Sequence, residues 1–384
     1  MTALDSQAKG VTGPSTIRVL HLTTAHPPND VRIYEKECKS LASEGYELTI
    51  AAQGRPNAVL PPILVRGLPI AANRRQRFTR TWLEACKLAW TGNYRIYHLH
   101  DPETIPIGLL MKLRRRTVIL DVHEDLPDDI RTKNWIPRQL RPAVAAAAVL
   151  LMRAAGLVFD GIVVATPAIG RRFPRHKITL VQNFPHLAEA GAQARMPHSS
   201  RPRRVVYIGS IQAIRGTEQV VRALGLLPDV QSLTLTMAGD FETEKFHRTL
   251  AGLAGWKRVE FLGWVPRAAA LGLMAQARAG IVTFLGAPNH LQAQPNKLFE
   301  YMAAGIPVIA SDFPLWRRLV ERFRCGILVD PSDPVAIAEA LLWIVNNPGI
   351  AAEMGAHGRE AVLAGLNWEH ESESLTGLYR KLVR

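Results

Sequence analysis

The residues best suited to chemistry lie in one stretch, residues 294–310. Pro295 suits a helix start, and Asn296 can supply a side-chain oxygen to the first free N–H groups. Gly305 then ends the helix before a short buried strand. A loop followed by a helix start directs free N–H groups and a positive helix end at one place, which is a site for an anion. Glu300, one turn later, has a carboxylate that can accept hydrogen bonds from a diol.

This stretch resembles the nucleotide-sugar-binding motif of retaining GT-B glycosyltransferases, the family 4 type. In that family the helix N-terminus faces the donor diphosphate, and a glutamate in the place of Glu300 binds the ribose. The resemblance implies that Asn296, Lys297 and Leu298 lie at the donor. A second glutamate usually stands eight residues before the first, near the transferred sugar, and here that position is Gln292. An ordinary α/β turn is the alternative interpretation.

A second polar group follows the strand predicted at residues 96–99. His100 and Asp101 fall at the carboxyl end of this strand, which Pro102 ends, and sites in open α/β sheets occupy such ends. His98 lies on the same strand face as His100. Retaining GT-B enzymes have a histidine, an acidic residue and a proline here. The resemblance implies that His100 contacts the transferred sugar, with Asp101 as its neighbour, and that these two residues and Glu300 are the catalytic ones.

Two further groups end or follow strands of the first half. His123 and Glu124 follow the buried strand at residues 118–122, where they suit acceptor binding, proton handling or a structural hydrogen-bond network. Asp30 is placed to cap the first helix, and Arg32 in its first turn can reach a phosphate or decorate the surface. These four residues are the candidates for the acceptor side of the site.

The second half opens with a strand at residues 205–208, followed by Gly209 and Ser210. Family 4 enzymes usually have Gly, then Arg, then Lys-Gly in this loop, with both cations on the diphosphate. Here Ser210 replaces the first cation, Arg215 and Gly216 stand for Lys-Gly, and Lys297 is a candidate second cation. A later loop, which the family places against the nucleotide base, contains Trp264. The resemblance thus assigns these residues to the donor: Gly209, Ser210, Arg215, Gly216, Trp264, Gln292, Asn296, Lys297 and Leu298.

Alternating strands, loops and helices predict two α/β halves with parallel sheets. We expect a first Rossmann-like domain at residues 1–185, a linker at 186–204 and a second Rossmann-like domain at 205–367. The resemblance implies the GT-B fold, in which the domains face each other across a cleft and the last helix, here residues 368–384, crosses back onto the first domain. A GxGxxG fingerprint is absent, which weakens an oxidoreductase interpretation.

Composition indicates a globular protein, since 47% of the 384 residues are hydrophobic and 21% are charged. The three cysteines, Cys38, Cys86 and Cys325, are far apart in sequence, which argues against a disulfide framework or a zinc site and for a reducing compartment. Residues 1–10 lack the apolar region of a signal peptide. The apolar run at 142–152 is too short to span a bilayer and predicts a buried or interfacial helix.

Positive charge is concentrated in the first half. Residues 1–185 hold 26 Lys and Arg residues against 15 Asp and Glu residues, out of a net charge of +14. Clusters occur at residues 74–80, 112–116 and 171–172, the first beside an aromatic stripe that suits either a membrane interface or a core helix. The charge admits nucleic acid, an anionic membrane or a phosphate-bearing acceptor as partners, and nucleic acid is disfavoured because no helix-turn-helix, RRM or KH pattern is present.

The sequence therefore predicts a glycosyltransferase that moves a sugar from a UDP- or GDP-linked donor to a glycan or lipid-linked acceptor, with retention. We expect no cofactor and no metal, since no two Asp residues stand two apart as in a DxD clamp. The matching context is a bacterial cytoplasmic protein that is peripheral on the inner face of the cell membrane. We expect it to act in cell-surface polysaccharide or glycolipid synthesis. The alternatives are an epimerase of the same fold, with Asp101 and Glu124 as acid and base, and a basic nucleic-acid-binding protein.

Overall fold

A computed structural model describes residues 16–54, 63–132, 135–191, 196–228 and 232–384. The expectation about residues 1–10 lies outside the described residues. Two sheets organise the chain, and every pair of neighbouring strands in the described ranges runs parallel. Helices lie between most consecutive strands of both sheets. The predicted α/β fold, with two Rossmann-like domains facing across a cleft, is confirmed.

The first sheet has seven strands in the order β3-β2-β1-β4-β5-β6-β7. Its strands are β1 Arg18–Leu22, β2 Glu47–Gln53, β3 Leu64–Leu68, β4 Ile96–Leu99, β5 Thr117–Val122, β6 Gly161–Val164 and β7 Ile178–Leu180. The second sheet has six strands in the order β10-β9-β8-β11-β12-β13. Its strands are β8 Arg204–Ile208, β9 Thr234–Ala238, β10 Val259–Gly263, β11 Ala279–Val282, β12 Val308–Ser311 and β13 Gly326–Val329. Sequence analysis missed only β3 among these, a sheet-edge strand with exposed Arg66 and Gly67 that weaken the apolar pattern.

Helices and single helical turns connect these strands. Those of the first half are Val31–Cys38, Lys39–Ser43, Arg74–Gln76, Arg77–Thr81, Trp82–Thr91, Pro102–Thr104, Ile105–Leu113, Leu126–Thr132, Arg141–Val158, Pro167–Gly170, Arg175–Lys177 and Leu187–Gly191. Those of the second half are His198–Ser200, Ala213–Arg215, Thr217–Leu226, Glu244–Ala251, Ala254–Arg258, Arg267–Gln276, Pro288–Leu291, Asn296–Ala303, Pro314–Phe323, Pro334–Asn346, Pro348–Ala364 and Trp368–Val383.

The helix Asn296–Ala303 lies between β11 and β12. Its apolar stripe is fully buried as predicted, from Leu298 to Ala303. Gly305 follows with a φ of +65°, a left-handed conformation that suits glycine and ends the helix. The predicted Asn296 cap was wrong: Pro295 is the capping residue, and it makes no side-chain hydrogen bond to the helix start. The capping side chain therefore does not occupy the first N–H groups of the helix.

The last helix, Trp368–Val383, packs against the first sheet. Trp368 and Tyr379 are buried in the same core as β1, β2 and β4. The Tyr379 hydroxyl and Nδ1 of His98 are 2.8 Å apart, within hydrogen-bond distance. The chain thus crosses back from the second half to the first and places a tyrosine directly behind a strand that leads to the candidate site.

The apolar helix of the first domain, Arg141–Val158, is longer than the predicted apolar run. Its 18 residues have a mean hydropathy of 1.5, so by length and composition alone it is long enough to cross a membrane, which corrects the expectation that it is too short. One face packs inward through Ala145, Ala148 and Met152, whereas Leu150 and Leu157 on the other face are exposed. The sequence left open whether this helix is buried or interfacial. In the structure it is buried on one face only.

Candidate active site

A cleft of about 500 Å³ separates the two domains at the carboxyl ends of their strands. Sites of open parallel sheets occupy this edge, because loops after several strands meet there. The first domain contributes polar side chains from the loops after β1 and β5, and the second from the loops after β8 and β11. The titratable and amide side chains that line the cleft are His26, Asp30, Arg32, His123, Glu124, Asp125, Asp128, Asn183, Arg215, His290, Gln292, Gln294, Asn296 and Lys297.

Lys297 is the cation at the start of the helix Asn296–Ala303. Its Nζ lies 5.8 Å from the centre of the Tyr207 ring and against the backbone of Gly209. Burial, followed by the positive charge of Arg215, lowers the pKa of Lys297 to about 8. An anion in the cleft would raise the pKa of Lys297 again, because its negative charge would offset both the burial of the amine and the positive charge of Arg215.

Arg215 is the second cation, and the turn after it holds it in place. Gly216 has a φ of +68°, and a Cβ there would lie 1.9 Å from the carbonyl oxygen of Thr283, so only glycine fits. The Arg215 guanidinium stacks on the Phe284 ring, with 5.2 Å between its carbon and the ring centre. Arg215 and Lys297, far apart in sequence, thus face the same part of the cleft.

Contacts with Tyr207 and Gly239 hold the turn after β8 in place. The Tyr207 hydroxyl donates a hydrogen bond of 2.7 Å to the carbonyl oxygen of Ser210. Burial raises the pKa of this hydroxyl to about 12, so it remains a donor. Gly209 has a φ of +122°, and Gly239 packs its Cα against the Gly209 carbonyl. The role of Ser210 that the structure supports is therefore a backbone one, in shaping the turn beside Lys297.

Glu300 lies one helical turn after Lys297, as predicted, and is held by a cation. Nη1 of Arg267 donates to its carboxylate at 3.1 Å, and the same guanidinium binds Glu189 at 2.7 Å. Glu300 does not line the 500 Å³ cleft. Arg267, which pairs with Glu300, is therefore a functional candidate that sequence analysis missed.

Leu298 and Trp264, both assigned to the donor by the resemblance, do not present their side chains to the cleft. Leu298 is fully buried, and its N–H is 3.1 Å from the Pro295 carbonyl, so neither its side chain nor its N–H is free. The Trp264 ring is 69% exposed and lies outside the cleft lining. Gln292 and Asn296, in contrast, line the cleft with exposed side chains.

His100 lies deeper than predicted. It is 3% exposed, its Nε2 is 2.9 Å from Nδ1 of His21, and its Nδ1 is 3.5 Å from a carboxylate oxygen of Asp121. Burial lowers the pKa of His100, so the ring is neutral near pH 7. His98 stacks on His100 at 4.7 Å between ring centres, which agrees with the predicted shared strand face. His100 lines a second cavity of the first domain, not the inter-domain cleft.

Asp101 holds the loop after β1. Its Oδ2 accepts hydrogen bonds from the Thr23 hydroxyl at 2.8 Å, the Thr24 N–H at 2.6 Å and the Ala25 N–H at 3.2 Å. The carboxylate is 3% exposed. This arrangement makes Asp101 a positioning residue for the loop that carries His26 into the cleft, which differs from the catalytic role implied by the resemblance.

Arg32 is paired, so it is not available as a free cation for a phosphate. Its guanidinium donates to both carboxylate oxygens of Asp121, at 2.9 and 3.0 Å, and to the Val181 carbonyl at 3.0 Å. Burial opposes ionisation of Asp121, but Arg32 and then His123 hold its pKa well below its usual range. The predicted surface role is also wrong, since Arg32 is 5% exposed.

The remaining acceptor-side candidates do reach the cleft. Asp30 caps the first helix as predicted, accepting from the N–H groups of Arg32 and Ile33. His123 Nε2 is 2.8 Å from Asp121, and the exposed Glu124 faces His290 of the second domain closely enough to oppose the lowering of the His290 pKa by burial. His123 and Glu124 therefore lie where the two domains meet.

Among the residues that the structure describes, two groups of the first domain have the composition of a metal site: His21, Glu37, His98 and His100, and the group of His100, Asp121 and His123. In the second group His123 and Arg32 already share the Asp121 carboxylate. In the first, burial and then Asp121 raise the pKa of Glu37, which favours its neutral form over the carboxylate that a metal would require. The arrangement is consistent with a buried hydrogen-bond network that orients His100 and His123.

Several of the residues that make these contacts could not be found from the sequence pattern. Asp121 is an exception, because it interrupts an otherwise apolar strand. Lys36 had no such signal: its Nζ donates to Asn183 Oδ1 and to the Phe184 carbonyl, both at 2.6 Å, and burial lowers its pKa to about 8. Tyr379 likewise meets His98 from 281 residues away. Such pairs become visible only when distant segments are packed together.

Comparison with protein-family models gives two matches that together cover most of the chain. A glycosyl transferase 4-like domain matches residues 33–184, and a model described as glycosyl transferases group 1 matches residues 202–347. The cleft described above thus lies between the two matched segments.

Curated proteins and solved structures are also similar to this chain over most of its length. A phosphatidyl-myo-inositol mannosyltransferase from Mycobacterium leprae is 24% identical over 84% of this chain and 85% of its own length. Sucrose-phosphate synthase from Thermosynechococcus elongatus aligns with a TM-score of 0.76 at 20% identity, covering 96% of this chain and 99% of its own. HepE from Anabaena, solved with UDP-glucose, aligns with a TM-score of 0.72 at 14% identity, covering 95% of this chain and 100% of its own.

Proposed function

Because the chain belongs to the group 1 glycosyltransferases and is a transferase with the GT-B fold, we propose that it moves a sugar from a nucleoside diphosphate sugar, UDP- or GDP-linked, to a glycan or lipid-linked acceptor. The observation that carries this proposal is the meeting of Arg215 and Lys297 at the start of the helix Asn296–Ala303. Two cations, free N–H groups and a glycine turn form a site for a diphosphate. UDP-glucose bound to the HepE neighbour supports a donor of this class.

This site acts on the leaving group of the reaction, the nucleoside diphosphate. Transfer breaks the bond between the sugar and the diphosphate, and negative charge grows on the departing oxygen. Arg215, Lys297 and the helix N-terminus are oriented before the reaction and stabilise that charge, without a metal being required for it. Glu300, beside Arg267, is proposed to hold the ribose hydroxyls. Retention of configuration follows from the family resemblance and is part of the proposal.

The first domain is proposed to bind the acceptor. His26, His123 and Glu124 project into the cleft opposite the two cations. The positive charge of this half and the exposed apolar face of the helix Arg141–Val158 suit an anionic membrane surface. We therefore propose a cytoplasmic protein that binds peripherally to the inner face of a bacterial membrane, in polysaccharide or glycolipid synthesis.

The epimerase alternative has less support. It requires two carboxyl groups that are free to exchange protons with the sugar. Glu124 is exposed in the cleft, but Asp101 is committed to the Thr23–Ala25 loop by three hydrogen bonds. Of the two carboxylates assigned to epimerisation, Asp101 is therefore unavailable, which favours transfer.

The test is release of nucleoside diphosphate from UDP-, GDP-, ADP- and dTDP-sugars in EDTA, with and without a bacterial lipid extract. Lipid-stimulated release from one donor is the expected result, and the anomeric configuration of the product, read by NMR, tests retention. Lys297→Met should lower release strongly, whereas Lys245→Met, at an exposed helix position of the same domain, should not. Epimerised donor without transfer, or equal activity of both variants, would overturn the proposal.

A further inference from the structure

A second cavity, of about 590 Å³, lies in the first domain next to the cleft. The two cavities share three lining residues, His26, His123 and Glu124. They are therefore neighbouring parts of one space, with the acceptor-side residues on the boundary. A molecule in the second cavity would end beside the residues that face the donor.

The walls of this cavity are mostly apolar. The helix Arg141–Val158 supplies Val144, Leu151 and Met152, and the preceding loop supplies Trp135 and Ile136. The opposite wall comes from the helices on either side of β4 and β5, and its apolar members are Phe78, Ile105, Leu126 and Ile130. Such walls cannot hydrogen-bond the hydroxyl groups of a free sugar, and burying those groups here would be costly.

The cavity opens to solvent through apolar side chains. Trp135 is 50% exposed, Phe78 is 44% exposed and Val144 is 39% exposed, and all three line the cavity. Arg74 stacks on Trp135 at 4.7 Å, which places a cation beside this mouth. The same helix also exposes Leu150 and Leu157, which lie outside the cavity lining. An entrance of this kind suits a chain that arrives from an apolar phase.

Carboxylates also line the cavity, and two of them, Asp101 and Glu103, are engaged by other side chains and backbone groups. Asp101 binds the loop after β1, and Glu103 accepts from the Thr24 hydroxyl at 2.9 Å and pairs with Arg77 at 3.0 Å. The shared residues His26, His123 and Glu124 are polar and lie at the cleft, whereas most of the remaining walls are apolar. This combination matches a molecule with a polar end and an apolar end.

We propose that this cavity binds the hydrocarbon chain of a lipid-linked acceptor, whose polar, reacting end lies at His26, His123 and Glu124. The inference rests on the proposed transferase function and deepens it by naming the acceptor class. Each methylene buried in such a site raises affinity about fourfold. Chain length, and not only the head group, therefore determines how tightly the acceptor binds.

The experiment measures binding of butyl, hexyl and octyl β-glucosides, each kept monomeric, by titration calorimetry on the full chain. Affinity should rise with chain length. Val144→Trp, which fills the cavity, should remove that dependence, and Phe78→Asp, which places a charge at the mouth, should lower octyl glucoside affinity at least tenfold. The matched controls are Leu150→Trp and Leu83→Asp, which change exposed residues outside the lining and should bind as the parent does.

UDP and GDP binding, and donor turnover, are measured on the same samples. Unchanged nucleotide binding shows that a variant is folded. Affinity that is independent of chain length, or equal losses in the controls, would overturn the inference, and donor turnover in those samples would leave the transferase proposal standing. Chain-length-dependent binding that only the lining variants lose, without turnover of any donor, would uphold the cavity assignment and count against the transferase.

Discussion

Gly209 and Lys297 are in contact across the cleft wall: a Cβ at position 209 would lie 2.3 Å from Nζ of Lys297. The turn after β8 therefore leaves a space that the lysine fills. Because Gly209 also has a φ of +122°, any side chain there strains the turn as well as displacing the cation. The first prediction follows from this pair.

Gly209→Ala should raise the KM for the donor about 10- to 100-fold, because it moves a charged group away from the diphosphate. Steady-state kinetics with the active donor measures it. Gly272→Ala is the control, since a Cβ at this helical position has open space around it, and it should leave KM unchanged. Unaltered donor KM in Gly209→Ala would contradict the placement of the diphosphate.

Donor binding should weaken as pH rises through about 8, the pKa of Lys297 in the free protein. Below this pH the amine is charged and binds the diphosphate; above it, affinity should fall by up to about tenfold per pH unit. The pH profile of kcat/KM measures this. Lys36 also has a pKa of about 8, so a variant is needed to assign the effect.

That variant is Lys297→Arg, whose guanidinium stays charged throughout this range. It should flatten the alkaline limb of the profile even if its absolute activity is lower. An alkaline limb that persists at the same pH in Lys297→Arg would assign the titration to another group.

Asp101→Ala should lower the free energy of unfolding by about 2–4 kcal/mol, because it leaves the hydroxyl of Thr23 and the N–H groups of Thr24 and Ala25 without their buried charged acceptor. Urea unfolding measures it. Glu339→Ala, at an exposed helix position, should change stability by less than about 0.5 kcal/mol. A stable but inactive Asp101→Ala protein would instead indicate a direct chemical role.

Stability should fall as pH drops below about 6.5, the ordinary histidine pKa. Burial, and then neighbouring histidines, hold the pKa values of His21 and His98 well below that value. The unfolded chain therefore binds more protons than the folded one in this range, and each residue costs up to about 1.4 kcal/mol of unfolding free energy per pH unit.

Urea midpoints at pH 7.5 and 5.5 test this. His98→Gln should reduce the slope between the two values, although it is less stable than the parent at pH 7.5 because Tyr379 loses its 2.8 Å contact and keeps only the 3.3 Å contact with His21. His176→Gln, at an exposed histidine, should keep the full slope. An identical slope in both variants would show that other groups control acid stability.

The sequence by itself determined the two α/β halves, the helix Asn296–Ala303 and its termination at Gly305, and the edge at which His100, His123 and Arg215 would be found. These are local properties: apolar periodicity specifies the elements, glycine and proline specify their ends, and parallel strands require their loops to meet at one edge. The family resemblance added the donor assignment, which rested on consecutive residues around Lys297 and Arg215.

Only the tertiary structure decided which charges are free. Arg32 and Asp101 read in sequence as site residues, yet Asp121 neutralises the first and a loop occupies the second. Arg267, distant in sequence, reaches Glu300. A charged side chain is available for chemistry only if no neighbouring side chain or backbone group already pairs with it. In a folded chain that neighbour can come from a distant segment, and separation in sequence does not predict distance in space. The same reason hid the apolar cavity, whose walls come from several separate segments.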